Sequence, residues 1–255
     1  MNRNLKLYLL AFLTLSAIAG VFSVSHIPQS VSYHNFCDKR TIWGIANFVN
    51  VVSNLPFVVA GIAGLLLLKR STADNAVTIS YFFLFLGIIL TGFGSAYYHL
   101  SPDNDTLVFD RLPMTIVFMS LLAAVAGEAI GPWTGGLALT PLLLTGAGSI
   151  LWWHYTEKTG TGDLRLYVLV QYYPMILIPA ILLLFPSAAA RRGWPPLLWA
   201  FGWYFIAKGC EALDWRIYTT LGFISGHSLK HLAAAASTWL LVKRYRVMHV
   251  PPLVH

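Results

Sequence analysis

Eight apolar stretches of membrane-spanning length govern what this chain can become. They run over roughly residues 5–25, 44–68, 76–98, 107–127, 135–153, 165–185, 196–213 and 221–242, each near the twenty or so apolar residues that a bilayer core requires. The connectors, among them KRSTADN, LSPDND, TEKTGTGD and DWRIYTT, are too short for a soluble domain. The predicted fold is therefore all-α, a polytopic transmembrane helical bundle with a seven-helix core and one N-terminal helix. Composition agrees: 57% of residues are hydrophobic and 11% charged, against about 25% charged in a soluble domain. That excludes an ordinary soluble enzyme and a disordered chain.

Charge then gives an orientation. With the N-terminus in the cytoplasm, Arg3, Lys6, Lys69, Arg70, Arg191, Arg192, Lys243, Arg244 and Arg246 all fall inside. Asp38, Asp103, Asp105, Asp110, Glu157, Asp163 and Asp214 fall on the opposite side with few bases. Both termini are expected in the cytoplasm. Topology thus accounts for the net charge of +7 without a nucleic-acid partner. Trp43, Trp133, Trp152, Trp153, Trp194 and Trp215 sit near span ends, as an aromatic belt does. Residues 1–30 read as an N-terminal transmembrane helix or a signal peptide, and the apolar run through Val24 favours the helix. Residues 31–245 form the seven-helix membrane domain and 246–255 a tail.

Ionisable groups inside membrane spans are expensive and usually functional. The second span carries Asn47, Asn50, Ser53 and Asn54; the third ends with Ser95 and His99; the fourth opens with Asp110. The seventh ends with Lys208, Glu211 and Asp214, and the eighth opens with His227, Lys230 and His231. With the topology above, all lie toward one side of the membrane, the extracytoplasmic one. His227 and His231 are spaced i,i+4, so one helical face presents both imidazoles, and His99 supplies a third. Three histidines with a fourth position open to water are the layout of a catalytic zinc site. Ser95 shares a face with His99, and Asp110 follows across a short turn, in reach of such a water as a base. Bland readings stand beside these: interhelical hydrogen bonding for the second-span set, snorkelling for Lys230, and a structural ion network for Lys208, Glu211 and Asp214. His26, His34, His154, His249 and His255 read as solvated or interfacial. Cys37 and Cys210 both face the oxidising side, either as a disulfide or as two free thiols.

The order SxxxH, an aspartate eleven residues later, then HxxxH on the last span resembles the alkaline ceramidase family. That family lies within a superfamily of seven-helix membrane hydrolases that includes the adiponectin/progestin receptors. The matching residues are Ser95 and His99 in GSAYYH, Asp110 in FDRLP, and His227 and His231 in GHSLKH, with NFVNVVSNLPF similar to the family's first core helix. The resemblance spans about residues 33–245 and implies zinc held by His99, His227 and His231. It further implies Asp110 as base, Ser95 as an oxyanion donor, and hydrolysis of ceramide or a related lipid amide to fatty acid and a long-chain amine. Asn47, Asn50, Ser53, Asn54 and Lys230 are candidates to support the ligands. Eukaryotic members carry acidic residues for calcium ahead of the first core helix; here only Asp38 remains, and Asn47 stands where a glutamate would. Oxygen sites so poor in carboxylates bind Ca²⁺ weakly, which argues against calcium activation, with Asp38 as the one candidate ligand. The extra N-terminal helix is similar to bacterial-type members. The rival class, a zinc-stabilised receptor or a transporter, fits less well: no inverted repeat is visible, and the inner loops are short.

Overall fold

Runs of apolar residues with few breakers fold as helix, and helix accounts for most of the computed structural model, which describes residues 1–252. The helices are α1 (Arg3–Phe22), α2 (Phe48–Val52), α3 (Leu55–Leu68), α4 (Asn75–Leu100), α5 (Asn104–Ala129), α6 (Pro132–Lys158), α7 (Arg165–Leu184), α8 (Ala188–Ala212), α9 (Asp214–Leu221) and α10 (Gly226–His249). Among the described residues, six stretches, α1, Phe48–Leu68 and α4 to α7, are long and apolar enough to cross a membrane. Helices α8 and α10 are long enough, at 25 and 24 residues, but are less apolar.

Four expectations are corrected. The second predicted span is interrupted between α2 and α3. There the Asn50 carbonyl accepts the Ser53 hydroxyl at 3.0 Å and the Asn54 amide at 2.8 Å, and Pro56 has no N–H to continue the ladder. The predicted connector DWRIYTT is helical as α9, ended by Gly222 in the left-handed conformation at φ 75°, which glycine adopts without penalty. Helix α10 continues past 245 to His249, because the first breaker after it is Pro251; the predicted tail therefore begins inside a helix, and residues 253–255, with His255, lie outside the described residues. Finally, Trp153 and Arg244 are both fully buried, so neither serves as a belt residue or a loop charge.

The chain divides into two compact units: Met1–Gln29 with Ala73–Leu84 and Thr115–Arg191, and Ser30–Thr72 with Phe85–Met114 and Arg192–His255. In the first, α1 packs on α7 and α6 on α7. The Thr14 and Tyr173 hydroxyls bond at 2.5 Å, and Leu164 N–H donates to the Ile27 carbonyl. In the second, α10 packs against α3, α2 and α9. Glycines set the closest approaches there. A methyl group on Gly92 would strike Val58, and one on Gly94 would strike the Phe109 carbonyl. Helix α4 therefore touches α3 on one face and α5 on another at backbone distance, one turn from the residues that matter next.

Candidate metal centre

The second unit gathers His99 from α4 with His227 and His231 from α10, all buried. Their three ring centroids are each 4.9 Å apart, and their nearest ligand atoms lie within 4.8 Å of one another. His99 Nε2 and His231 Nε2 face each other at 3.2 Å. Zn–N bonds of 2.0–2.1 Å at tetrahedral angles separate neighbouring ligand nitrogens by about 3.3–3.4 Å. The donor set and its spacing therefore fit a metal ion.

The surrounding polar groups fix which nitrogen is free. Ser53 has one hydroxyl hydrogen, donated to the Asn50 carbonyl at 3.0 Å. Its contact with His231 Nδ1 at 2.8 Å must then be an N–H donated by the imidazole. That tautomer leaves a bare lone pair on His231 Nε2, the nitrogen facing His99, in the manner of oriented metal-binding histidines. Asn50 joins three segments. Its amide donates to the Asp38 carbonyl at 3.2 Å, and its Oδ1 accepts from Ser228 at 2.6 Å and Ser225 at 3.5 Å.

Both histidine-bearing helices are pinned at their ends. The last carbonyls of a helix lack internal partners, and Asn47 Nδ2 donates to the His99 carbonyl at 2.8 Å. Asn47 does this from the left-handed region, φ 49° and ψ 39°, which asparagine tolerates better than most residues. At the start of α10, Ser225 Oγ accepts from Ser228 N–H, and Asp214 Oδ1 accepts from His227 N–H at 2.7 Å. Gly226 is required there, since a methyl group would strike the Cys210 carbonyl and the Asp214 backbone.

Ser95 and Asp110 are buried and lie within side-chain hydrogen-bonding reach of each other, as the Gly94–Phe109 approach dictates. Asp110 also lies in the field of Lys230. Lys230 does not snorkel: its ammonium donates to Glu211 Oε1 at 2.7 Å and stands 3.3 Å from His227 Nε2. Lys208 holds the other Glu211 oxygen at 2.8 Å.

The predicted supporting residues thus separate. Asn47, Asn50, Ser53 and Lys230 touch the histidines or their helix ends, whereas Asn54 Nδ2 bonds back into its own turn. The Asp38 carboxylate is gripped by Arg40, Nε to Oδ1 at 2.8 Å and Nη2 to Oδ2 at 2.6 Å. Burial pushes the Asp38 carboxyl up, and Arg40 more than offsets it, so the group sits below its ordinary value. Cys37 and Cys210 are free thiols; burial and the Asp214 carboxylate push Cys37 up to about 11.

Other contributors carried little signal in the sequence. Phe36 packs its ring 4.5 Å from both His99 and His227. Tyr33 donates to Glu211 Oε1 at 3.3 Å. His34, expected to be solvated, is half-buried and bonds Tyr98 OH at 2.9 Å and Asn104 Oδ1 at 3.0 Å. All three come from the segment before α2, Tyr33 and His34 from a 3₁₀ turn at Val31–His34 and Phe36 from the chain just after it. Its only periodicity is local, so its folding onto α4, α5 and α8 is legible only in three dimensions.

A family model described as Ceramidase matches residues 28–250 of the chain. Neither the curated proteins nor the solved structures gave a significant match.

Proposed function

We propose, from the premise that this chain belongs to the Ceramidase family, that it is a membrane-embedded zinc amidohydrolase cleaving ceramide or a related lipid amide. The reading assigns the hydrolase to residues 31–245, the extra helix to residues 1–30, and eight spans with both termini cytoplasmic and the site extracytoplasmic. The observation that carries it is the buried triangle of His99, His227 and His231, with two Nε2 atoms face to face at 3.2 Å.

His99, His227 and His231 would hold the metal. When bound, zinc supplies Lewis acidity and lowers the pKa of water toward about 7. Asp110, buried in α5 beside Ser95, takes the proton of the attacking water and returns it to the leaving nitrogen. Ser95 donates its single hydroxyl hydrogen to that carboxylate and, once Asp110 carries the water's proton, turns it to the oxyanion that develops on the acyl carbonyl. In sum the amide C–N bond breaks. The water oxygen, with one hydrogen, joins the acyl carbon, and the other hydrogen joins the nitrogen. A fatty acid and a long-chain amine leave. Asn47, Asn50 and Ser53 keep the two histidine helices in register, so the chemistry rests on an arrangement fixed before substrate binds.

The test is to incubate the purified full-length protein with a panel of lipid amides and identify products by mass spectrometry, alongside His99→Ala, His227→Ala and His231→Ala. The reading expects paired fatty-acid and amine products from the wild type and none above background from the three variants. Folded wild type that hydrolyses no member of the panel contradicts it.

A further inference from the structure

We infer that Lys230, tethered by Glu211, is a further catalytic residue of this site, an ammonium that stabilises the negative charge developing on the substrate carbonyl oxygen; the inference rests on the function proposed above.

Three observations carry it. First, Glu211 is shared between two lysines. One carboxylate serves two ammoniums, Lys208 on Oε2 at 2.8 Å and Lys230 on Oε1 at 2.7 Å. A structural pair needs one lysine. Lys208 is the more open of the two, its side chain 35% exposed against 18% for Lys230, so water screens Lys208 and does much less for Lys230. Second, the tether aims the charge inward. An ammonium has three N–H groups. One is on Glu211, and the Nζ stands 3.3 Å from His227 Nε2, at the edge of the imidazole triangle and in the field of Asp110. Third, that placement opposes the triangle's own task. A fixed positive charge beside three cation-binding nitrogens repels a cation, so a site built only to hold a metal gains nothing from it. An anion formed at the same spot gains a great deal, because a half-buried, preorganised charge is less screened than one in open water.

Amide hydrolysis supplies that anion. The carbonyl oxygen is neutral in the bound substrate and carries a full negative charge when water has added to the acyl carbon. The product carboxylate is again an anion. Lys230 therefore favours the addition stage over the ground state, which raises turnover rather than substrate affinity. No proton leaves it in this role. Glu211 is a positioning residue, with Tyr33 OH as a second hold on its Oε1.

The experiment uses zinc-loaded full-length protein, wild type and Lys230→Met, Lys230→Arg and Glu211→Gln. It measures metal content, kcat and KM on a lipid amide that the wild type hydrolyses, and the affinity for a long-chain alkylphosphonate, a tetrahedral anion, beside that for an uncharged long-chain amide. Lys230→Met is expected to keep its metal and lose kcat by about 10²-fold, as for other oxyanion donors, with KM little changed. Phosphonate affinity should fall far more than affinity for the neutral amide, and Lys230→Arg should recover part of both losses. Unchanged kcat, or equal losses for phosphonate and neutral amide, overturns the inference. Should Lys230→Met not fold, Glu211→Gln decides: a selective loss of phosphonate binding supports the role, and unaltered binding overturns it. Wild type inert on every lipid amide overturns the proposed function and this inference together, whereas an active wild type with an unimpaired Lys230→Met overturns the inference alone.

Discussion

Each of the two units contains the same small device, an Asp-x-Arg staple, and the two copies differ in what they fasten. In the first unit Arg165 grips Asp163 through Nε at 2.9 Å and Nη2 at 2.9 Å, donates to the Val24 carbonyl at 3.0 Å and lies over Phe22. In the second, Arg40 grips Asp38 in the same fork, donates to the Phe223 carbonyl at 2.7 Å and lies over Tyr218. Both aspartates are buried, but Arg165 is 12% exposed and Arg40 40%. The first staple joins the start of α7 to the end of α1. The second joins the segment before α2 to the turn that leads into α10 and its two histidines. A buried carboxylate gripped by an arginine is thus a fold device wherever it occurs here. The second unit also gathers a different set of ionisable groups: three imidazoles, Asp110 beside Ser95, and a lysine pair on one glutamate.

The largest effect expected from this contrast is at Asp110. Asp110→Asn keeps the shape of the side chain and an oxygen for Ser95, so thermal stability and metal content should stay near wild type while turnover falls by about 10²–10⁴-fold, the usual cost of a lost base. Turnover close to wild type, or loss of the metal, would return Asp110 to the structural class.

Next come the staples themselves. Arg165→Met removes the fork on a buried carboxylate together with its bond to the Val24 carbonyl and should lower the unfolding temperature, with kcat unaltered once the protein is folded. Arg40→Met, at a more open site, should cost about 1 kcal/mol or less but reduce turnover severalfold, because the turn before α10 loses its tie. Thermal unfolding and steady-state kinetics on both variants separate the two; the opposite pattern would mean that the device is specialised in the wrong unit.

A smaller effect concerns pH. The Arg165 hydrogen bonds hold the Asp163 carboxyl down to about 2, against an ordinary value of 3.8. A carboxyl lowered in the folded state stabilises fully above its unfolded value and loses that contribution as pH falls through the folded one. The stability gap between wild type and Asp163→Asn should therefore be constant above about pH 5 and shrink between about pH 4 and 2. A gap that does not narrow in that window would mean Asp163 is not held as described. The smallest effect is on calcium. With both Asp38 oxygens on Arg40, a calcium-selective chelator should leave activity unaltered, and a reversible loss would show that this staple opens to a metal.

Much of this was legible in the residues. Apolar run length located the helices, and i,i+4 spacing paired His227 with His231 and Ser95 with His99, since both signals live within one helix. The break at Ser53–Asn54 was hidden because Pro56 alone is also tolerated in the first turn of a helix, and the side chains that bond Asn50 carry no pattern, yet that break sets Ser53 against His231, 178 residues away. The grip of Glu211 on both lysines was visible only as three polar residues, and Lys230 joins it across 19 positions and a turn. Phe36 gave no signal at all, being one aromatic residue in an irregular stretch. Contacts between distant segments are settled by packing, and the helix-packing glycines at 92, 94 and 226 announce a close approach without naming the partner.

The central claim is that the histidine triangle holds the zinc on which amide hydrolysis depends. It is tested most directly by stripping the purified protein of metal and titrating zinc back while measuring bound zinc and lipid-amide turnover on the same samples. The account predicts one zinc per chain in wild type, turnover rising in proportion to occupancy, and neither binding nor turnover in His231→Ala. Full turnover in folded, zinc-free protein, or stoichiometric zinc retained by His231→Ala, would contradict it.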